Sequence, residues 1–242
     1  MISIIIPTYN EESVIENTLQ NLKKIDGIAE TEIIVVDGRS SDRTVSIAKN
    51  YASVISSAKG KAFQLNAGAR AASGDILFFV HADMTLPQNV LKVIETKIVR
   101  EGCDGGGFAS EFSSHNKKIK TLGRLMNFRI INKEQSDKKI FYGDNGIFVK
   151  KTVFEKLGGF REIPIMEDYD FSIRLKKEYR VVKIDEPKII VNPRRHINAG
   201  FIKTRFQWIV IRKLYKLGVS PFLLARWYKD VRSRYGVWHY IL

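Results

Sequence analysis

The stretch Leu77–Asp83, with the sequence LFFVHAD, constrains the fold of this chain most. Its four leading apolar residues are typical of a strand that is buried on both faces, as in the parallel sheet of an α/β protein. The strand is followed directly by His81 and Asp83. Because open α/β sheets bind ligands at the carboxyl ends of their strands, we expect the partner of Asp83 to decide the function.

Short apolar runs alternate with helical patterns along the first hundred residues. The runs Ile2–Ile6 and Glu32–Val36 predict strands, and Pro7 is expected to end the first of them. Helices are predicted over residues 43–51 and 61–72. This alternation predicts an α/β fold with a Rossmann-like, mixed but mainly parallel sheet that is flanked by helices.

The second half of the chain has a different pattern. A strand is predicted over residues 108–112, and two separate strands are predicted over residues 181–184 and 189–191. A helix is predicted to begin at Glu167, and the polar stretch of residues 113–139 contains a further helical pattern.

The tail, residues 199–242, is predicted to be a basic, aromatic, helical appendage. Arg205, Arg212 and Lys216 fall on one narrow stripe of a helical wheel, and apolar residues occupy much of the rest. Such a helix can lie in a membrane interface, pack on the rest of the protein or form a dimer. The sequence leaves these alternatives open.

The charge and cysteine content bear on partners and location. Lys and Arg number 40 against 26 Asp and Glu, a net charge of +14 that indicates either an anionic partner or simply a basic surface. The single Cys103 fits a reducing compartment. With no signal peptide and no run of about 18 apolar residues, we expect a cytoplasmic protein, with peripheral membrane attachment left open.

Acidic residues follow three of the predicted strands, namely Glu11, Asp37 and Asp83. A dinucleotide site would need a glycine-rich turn after the first strand, but residues 7–12 (PTYNEE) contain no glycine, and the chain has no P-loop. Carboxylates can bind sugar hydroxyls or base N–H groups, or hold a divalent cation that contacts phosphates.

Six motifs within residues 1–195 resemble, in order, the landmarks of family 2 glycosyltransferases with the GT-A fold: PTYNEE, VVDGRSSDRT, GKAFQLNAGA, FVHAD, YGDNGIFVKK and MEDYDFSIRL. The HAD form is most similar to a small bacterial subgroup. The resemblance implies a GT-A domain over 1–198, with a nucleotide-sugar half (1–100) and an acceptor half (101–198). It also implies inverting, metal-assisted sugar transfer from a nucleotide-diphosphate donor, expected to be a UDP-sugar, to an unknown acceptor hydroxyl.

The resemblance further implies a nucleotide site and a metal site. The nucleotide would be bound by Pro7, Tyr9, Glu11, Asp37, Gly60, Lys61, Arg194 and Arg195. Asp83 would hold Mn²⁺ or Mg²⁺ bridged to the diphosphate. His81 stands where the family has the first Asp of Asp-x-Asp. It is either a second metal ligand, since imidazole suits Mn²⁺ better than Mg²⁺, or a group that binds phosphate or ribose.

Glu167 and Asp168 resemble the catalytic Glu-Asp pair of the family. In inverting transfer one carboxylate takes the proton of the acceptor hydroxyl, and we assign this role to Asp168. The alternative is an acidic helix N-cap. Asp144, in the sequence GDNG, either contacts the acceptor or only shapes a turn.

Three other functions stay open from the sequence. A sugar-nucleotide pyrophosphorylase would need a glycine- and arginine-rich loop where this chain has PTYNEE. A non-catalytic nucleotide-sugar-binding protein at the membrane is compatible with His81 in place of aspartate. A nucleic-acid binder should contain a recognisable module, and none is evident. We therefore expect a nucleotide sugar and an acceptor, which could be lipid-linked, as partners, and no nucleic acid.

Overall fold

The computed structural model describes residues 1–113, 140–193 and 201–228. The strands are β1 (Ile2–Thr8), β2 (Thr31–Asp37), β3 (Ser53–Ser56), β4 (Ile76–Phe79), β5 (Met84–Thr85), β6 (Gly105–Phe112), β7 (Phe148–Lys150) and β8 (Val181–Val191). The helices are α1 (Ile15–Leu22), α2 (Thr44–Ala48), α3 (Lys61–Ala71), α4 (Val90–Glu95), α5 (Lys151–Lys156), α6 (Glu167–Glu178), α7 (Phe201–Lys216) and α8 (Pro221–Trp227). Short 3-10 turns cover Ile28–Glu30 and Gly143–Asn145, and Thr96–Arg100 is a π-helical turn.

All eight strands form one sheet in the order β3-β2-β1-β4-β7-β6-β8-β5. β1 lies between β2 and β4 and is parallel to both, and β3 extends this parallel half. β7 is antiparallel to both β4 and β6, and β5 is antiparallel to β8. The sheet is therefore mixed and largely parallel, and the predicted fold class is confirmed.

The apolar runs are continuous because both faces of the sheet are covered. Ile4 and Ile6 of β1 point to a core shared with α1 and α4, whereas Ile5 points to a second core shared with α3 and α6. Successive side chains of a strand alternate between faces, so a strand buried on both sides needs apolar residues throughout.

The structure corrects two predicted strand boundaries near proline and glycine. β1 does not end at Pro7 but continues to Thr8, in register with β2. Its pairing with β4 stops at Ile5, and a proline that lacks the N–H donor is tolerated where a strand is paired on one side only. β6 begins at Gly105 and not at Phe108. The glycines allow this close pairing with β8, since a side chain at Gly106 would meet the carbonyl oxygen of Val182.

The two strands predicted over residues 181–184 and 189–191 form one strand, β8. Its register against β6 shifts between the pairs Phe108↔Ile184 and Ser110↔Ile189, so the intervening residues bulge out of the ladder. The polar residues of this bulge caused the prediction of a break, but strand pairing resumes beyond them.

The tail is helical as predicted and contains two helices, α7 and α8, separated by Gly218, whose φ of 85° favours glycine. Ile211, Leu224 and Ala225 are buried against Ile165 and Tyr169 near the start of α6. Most of the polar stretch 113–139 and residues 229–242 of the tail lie outside the described residues. The domain division at residue 198 remains a prediction. In the three described ranges, no helix is both long and apolar enough to cross a membrane.

Candidate active site

An open cleft lies at the carboxyl edge of β1 and β4. It is lined by Pro7, Thr8, Tyr9, Glu11, Lys61, Gln64, His81 and Ala82. Five of these were predicted from the sequence: Pro7, Tyr9, Glu11, Lys61 and His81. Because β1 and β4 are parallel neighbours, the motif PTYNEE and the motif FVHAD meet here, as expected for an open α/β sheet.

Gln64 is a cleft residue that the sequence analysis missed. It is buried, and its Nε2 donates to the carbonyl oxygens of Thr8 at 2.7 Å and Val36 at 2.9 Å. It thereby ties α3 to the ends of β1 and β2. A polar residue within a helical pattern is ordinarily assigned to the exposed face, so the periodicity carried no signal for Gln64.

Two further predicted nucleotide-binding residues, Gly60 and Asp37, lie next to residues that line this cleft. Gly60 has a φ of 140°, which glycine adopts readily, and α3 begins at the next residue, Lys61. Lys59, which the sequence analysis also missed, places its Nζ 3.8 Å from the ring centroid of Tyr9. The backbone N–H of the buried Glu11 donates to Thr44 Oγ1 at 2.8 Å.

Asp37, at the end of β2, is buried beside the cleft residue Thr8, whose hydroxyl donates to Asp37 Oδ1 at 3.3 Å. The Asp37 carboxylate also accepts the backbone N–H of Ser40 at 2.8 Å and the Ser40 hydroxyl at 2.5 Å. These contacts shape the loop after β2, and nucleotide binding by Asp37 stays a prediction. Arg194 and Arg195 lie outside the described residues.

Lys61 joins the cleft to the predicted catalytic pair. Its Nζ lies 3.0 Å from Glu167 Oε1 and 3.5 Å from Asp168 Oδ2. Asp168 Oδ2 also accepts the backbone N–H of Gly143 at 2.6 Å, and Oδ1 accepts the N–H of Tyr169 at 2.7 Å. Both carboxylate oxygens are therefore held in place at the start of α6.

Asp168 is not the N-cap residue of α6, although its Oδ1 accepts an N–H of the first turn. The N-cap residue is Met166, which has a left-handed φ of 71° and makes no side-chain cap hydrogen bond. Glu167 is buried, and burial raises its pKa, with the negative charge of Asp168 adding to the increase and Lys61 opposing it. Neighbouring carboxylates in such different surroundings are typical of acid–base sites.

Gly143 lies at the centre of the site. A Cβ atom at this position would come within 2.4 Å of the His81 ring and 2.6 Å of Lys61 Nζ. The 3-10 turn Gly143–Asn145 can therefore approach both residues only because position 143 has no side chain. The sequence motif GDNG indicated a turn but not this close approach.

The same turn brings Asp144 to His81. Asp144 Oδ1 lies 3.4 Å from His81 Nδ1, without the geometry of a hydrogen bond, and Nδ1 is buried with no hydrogen-bond partner. Asp83 follows in the turn after β4 and is half-buried, and its carbonyl oxygen accepts the N–H of Asn192 at 3.1 Å.

The residues around His81 fit a divalent cation that has few protein ligands. Among the residues that the structure describes, no three His, Cys, Asp or Glu side chains gather as a metal site. Mg²⁺ and similar cations at phosphate sites are commonly bound by one or two protein ligands and completed by phosphate oxygens and water. The unsatisfied His81 Nδ1 beside the Asp144 carboxylate fits such a sparse ligand set.

The tail packs behind the predicted catalytic pair, Glu167 and Asp168. Arg212 of α7 donates to the hydroxyl of Tyr142 at 2.8 Å, and the ring of Tyr142 stacks on Tyr169 with centroids 5.9 Å apart. Tyr215 donates to Asp170 Oδ1 at 3.0 Å. Of the predicted basic stripe, Arg212 is half-buried and packs on the protein, whereas Lys216 is exposed.

Comparison with known proteins agrees with this geometry. The family model "Glycosyl transferase family 2" matches residues 3–158. A Haemophilus influenzae protein named as an uncharacterised glycosyltransferase is 28% identical over 204 residues, which are 77% of this chain and 66% of that protein.

Two solved structures share the fold. Staphylococcus aureus TarS in complex with UDP-GlcNAc aligns with a TM-score of 0.62 and 21% identity over 79% of this chain and 58% of its own. The mannosyltransferase PcManGT from Pyrobaculum calidifontis, in complex with GDP-Man and Mn²⁺, aligns with a TM-score of 0.64 and 22% identity over 93% of this chain and 63% of its own.

The chain therefore spans 58% to 66% of the length of these three proteins. The family match covers well over half of the chain and includes the strands that form the cleft. The chain belongs to glycosyl transferase family 2 and has the GT-A fold.

Proposed function

We propose that the protein transfers a sugar from a nucleotide-diphosphate donor to an acceptor hydroxyl, with inversion at the anomeric carbon. A UDP-sugar is the favoured donor. The observation that carries this proposal is the position of Lys61. It lines the cleft and contacts both Glu167 and Asp168. It therefore joins the expected donor site to a candidate catalytic base.

The donor is proposed to lie along the carboxyl edge of β1, with its base near Tyr9. Lys59 over the Tyr9 ring and Lys61 at the first turn of α3 supply positive charge to this region. The amino end of a helix also favours phosphate groups through its free N–H groups. The solved relatives bind UDP-GlcNAc and GDP-Man, so GDP is the alternative nucleotide.

Asp168 is proposed as the general base. Its Oδ2 accepts the N–H of Gly143 and, at 3.5 Å, Lys61 Nζ, whereas within the described residues its Oδ1 accepts only the N–H of Tyr169. Oδ1 therefore retains capacity for a further donor, such as an acceptor hydroxyl. As the hydroxyl oxygen attacks the anomeric carbon, its proton passes to Asp168. The bond from that carbon to the diphosphate oxygen breaks on the opposite face, and the electron pair leaves with the nucleotide diphosphate.

His81, Asp83 and Asp144 are the residues proposed to hold Mn²⁺ or Mg²⁺. When bound, such a cation neutralises the charge that develops on the departing diphosphate. This proposal is supported by the contact of Asp144 with His81 and by the close approach of the turn Gly143–Asn145 to the ring of His81.

We propose a cytoplasmic location for the enzyme, with its tail at the membrane and a lipid-linked acceptor. The buried, unpaired Cys103 is compatible with a reducing compartment. The tail contacts the residues next to Asp168, so an acceptor that approaches along the tail would arrive at the proposed base.

The test combines donor binding with turnover. Thermal shifts with UDP, GDP and TDP and their sugars, with and without Mn²⁺, identify the donor, because a ligand that binds only the folded state raises the melting temperature. Release of the nucleotide diphosphate is then measured with a panel of acceptors. We expect Asp168→Asn to keep donor binding but to lower turnover by at least about 100-fold.

The matched control is Asp185→Asn, since the Asp185 side chain is 83% exposed. Without saturable binding of any nucleotide sugar, the donor assignment is wrong. Donor binding with no turnover against any acceptor would favour the non-catalytic nucleotide-sugar-binding protein instead.

A further inference from the structure

The outer face of α7 and α8 exposes large apolar side chains. Phe206 is 67% exposed, Leu217 is 79% exposed and Trp227 is 63% exposed. Six of the ten large apolar side chains that are exposed in the described ranges belong to the short segment of residues 206–227. Exposed apolar surface that is concentrated in this way marks a binding surface for a protein or a membrane.

The spacing shows that α7 has two apolar faces. Trp208, Ile211 and Tyr215 pack inward against the residues around the start of α6. Phe206 and Val210, followed by Leu217, recur at intervals of four and seven residues on the opposite side. A helix that only covered the domain would have a polar outer face.

The charge of this segment indicates the kind of partner. Between Phe201 and Tyr228 the chain has no Asp or Glu. Lys213, Lys216 and Arg226 are exposed alongside the apolar residues. Two copies of this face would bring like charges together, which opposes self-association. Anionic lipid headgroups complement the positive charge, and the exposed Trp227 is of a residue type enriched at membrane interfaces.

We propose that this apolar-basic face, defined by Phe206, Val210, Leu217, Trp227, Lys213 and Lys216, docks on the surface of a membrane that contains anionic lipids. The helix lies in the plane of the interface, with its apolar side chains among the acyl chains and its lysines at the headgroups.

Docking in this orientation would also serve catalysis, and this step rests on the proposed function. The inner side of α7 carries Arg212 and Tyr215, which contact Tyr142 and Asp170 beside the proposed base. A helix with its side chains is only about 10 Å wide. A membrane on the outer side of α7 therefore lies within reach of the acceptor side of the cleft, which favours a lipid-linked acceptor.

The test uses the full chain and vesicle flotation, which needs neither donor nor acceptor. Vesicles of phosphatidylcholine alone are compared with vesicles of equal parts phosphatidylcholine and phosphatidylglycerol. We expect binding only to the second. The paired changes Leu217→Ser with Trp227→Ser, and Lys213→Glu with Lys216→Glu, should each weaken it by at least about tenfold. All four side chains are exposed, so the fold should be kept.

The matched control is Val99→Ser with Lys177→Glu, which changes exposed side chains outside the tail and should leave vesicle binding unaltered. Equal binding to both vesicles, or to neither, overturns the proposal. A dimer that dissociates on Leu217→Ser identifies a second copy as the occupant. Binding that needs deletion of residues 229–242 identifies that segment instead. Donor binding and turnover in solution are scored separately, so failure here removes the membrane position of the tail but leaves the proposed sugar transfer untouched.

Discussion

The backbone N–H of Gly143 donates to Asp168 Oδ2 at 2.6 Å. This bond joins the 3-10 turn Gly143–Asn145 to the first turn of α6, and the neighbouring residue Asp144 lies 3.4 Å from His81. The turn thus holds the proposed base on one side and approaches the proposed metal ligand on the other. A change in the turn should therefore affect both.

Gly143→Ala is expected to lower turnover by about 100-fold and to weaken donor binding, since displacement of catalytic groups by about 1 Å can have this effect. The added methyl group would meet His81 and Lys61. Nucleotide release and thermal shift measure the two effects. The control is Gly27→Ala, where φ is +80° but the space is open, so that only about 1 kcal/mol of stability is lost. Unchanged turnover in Gly143→Ala would show that the turn adjusts.

Glu167→Gln is expected to alter how stability depends on pH. Burial raises the pKa of Glu167, so the folded state retains this proton to a higher pH than the unfolded state. The contribution of Glu167 to folding therefore declines as the pH rises from its ordinary pKa to its folded pKa. The free energy of unfolding of the wild type, relative to that of Glu167→Gln, should be highest at low pH and should decrease as the pH rises.

Urea unfolding of both proteins between about pH 4 and pH 8 measures this difference. Glu162→Gln, at an exposed position in the preceding loop, is the control and should show no such trend. A difference between wild type and Glu167→Gln that is constant across this range would contradict the assigned direction.

Tyr142 and Arg212 should be energetically coupled through the bond at 2.8 Å. Tyr142→Phe and Arg212→Met are each expected to lower the free energy of unfolding by about 1–2 kcal/mol. The double variant should lose less than the sum, with an interaction energy of about 1 kcal/mol. Tyr142→Phe combined with a change at the exposed Lys213 should instead be additive. Additivity at Arg212 would mean that the bond contributes nothing.

Tyr215→Phe should lower stability by about 1–2 kcal/mol near neutral pH, because it removes the bond to the buried Asp170. Burial, followed by the negative charge of Asp170, raises the pKa of Tyr215 to about 12. The stabilisation should therefore be complete at neutral pH and disappear as the pH passes from the ordinary tyrosine value towards 12. Ultraviolet titration should show a late-ionising tyrosine that is missing in Tyr215→Phe.

His81→Ala and Asp83→Ala should each weaken Mn²⁺ binding in the presence of UDP by at least about tenfold. The electron paramagnetic resonance signal of free Mn²⁺ reports this without turnover. Asp144→Ala tests whether the carboxylate nearest to His81 is also a ligand. Glu111→Ala, at a half-buried position on β6, is the control. Equal affinity in all four variants would exclude the HAD motif from the cation site.

Periodicity and strand-end chemistry predicted the features that depend on local sequence. The apolar runs of β1 and β4 were recognised because both faces of the sheet are covered. Tyr9 and His81 were placed correctly at one cleft because parallel neighbouring strands end at the same edge.

Features set by tertiary contact were not predictable in this way. The extension of β1 through Pro7 depends on where β4 stops pairing with it. The joining of residues 181–184 and 189–191 into the single strand β8 depends on the register of β8 with β6. Gln64 is in the cleft because its amide satisfies two strand-end carbonyl groups. Arg212 is turned inward by a tyrosine 70 residues earlier in the chain.

The Lys61–Asp168 contact spans 107 residues and the Tyr142–Arg212 bond spans 70. On the ribosome, the strands around β1 emerge long before the residues that complete the site. A nascent chain can form the parallel half of the sheet while α7 is still in the exit tunnel, since synthesis proceeds from the amino end. Lys61 is therefore synthesised well before Glu167 and Asp168, the acidic residues that it contacts in the complete fold. The residues of α7 that pack behind Glu167 and Asp168 are added near the end of synthesis. The apolar-basic face that is proposed to dock on lipid emerges at the same time.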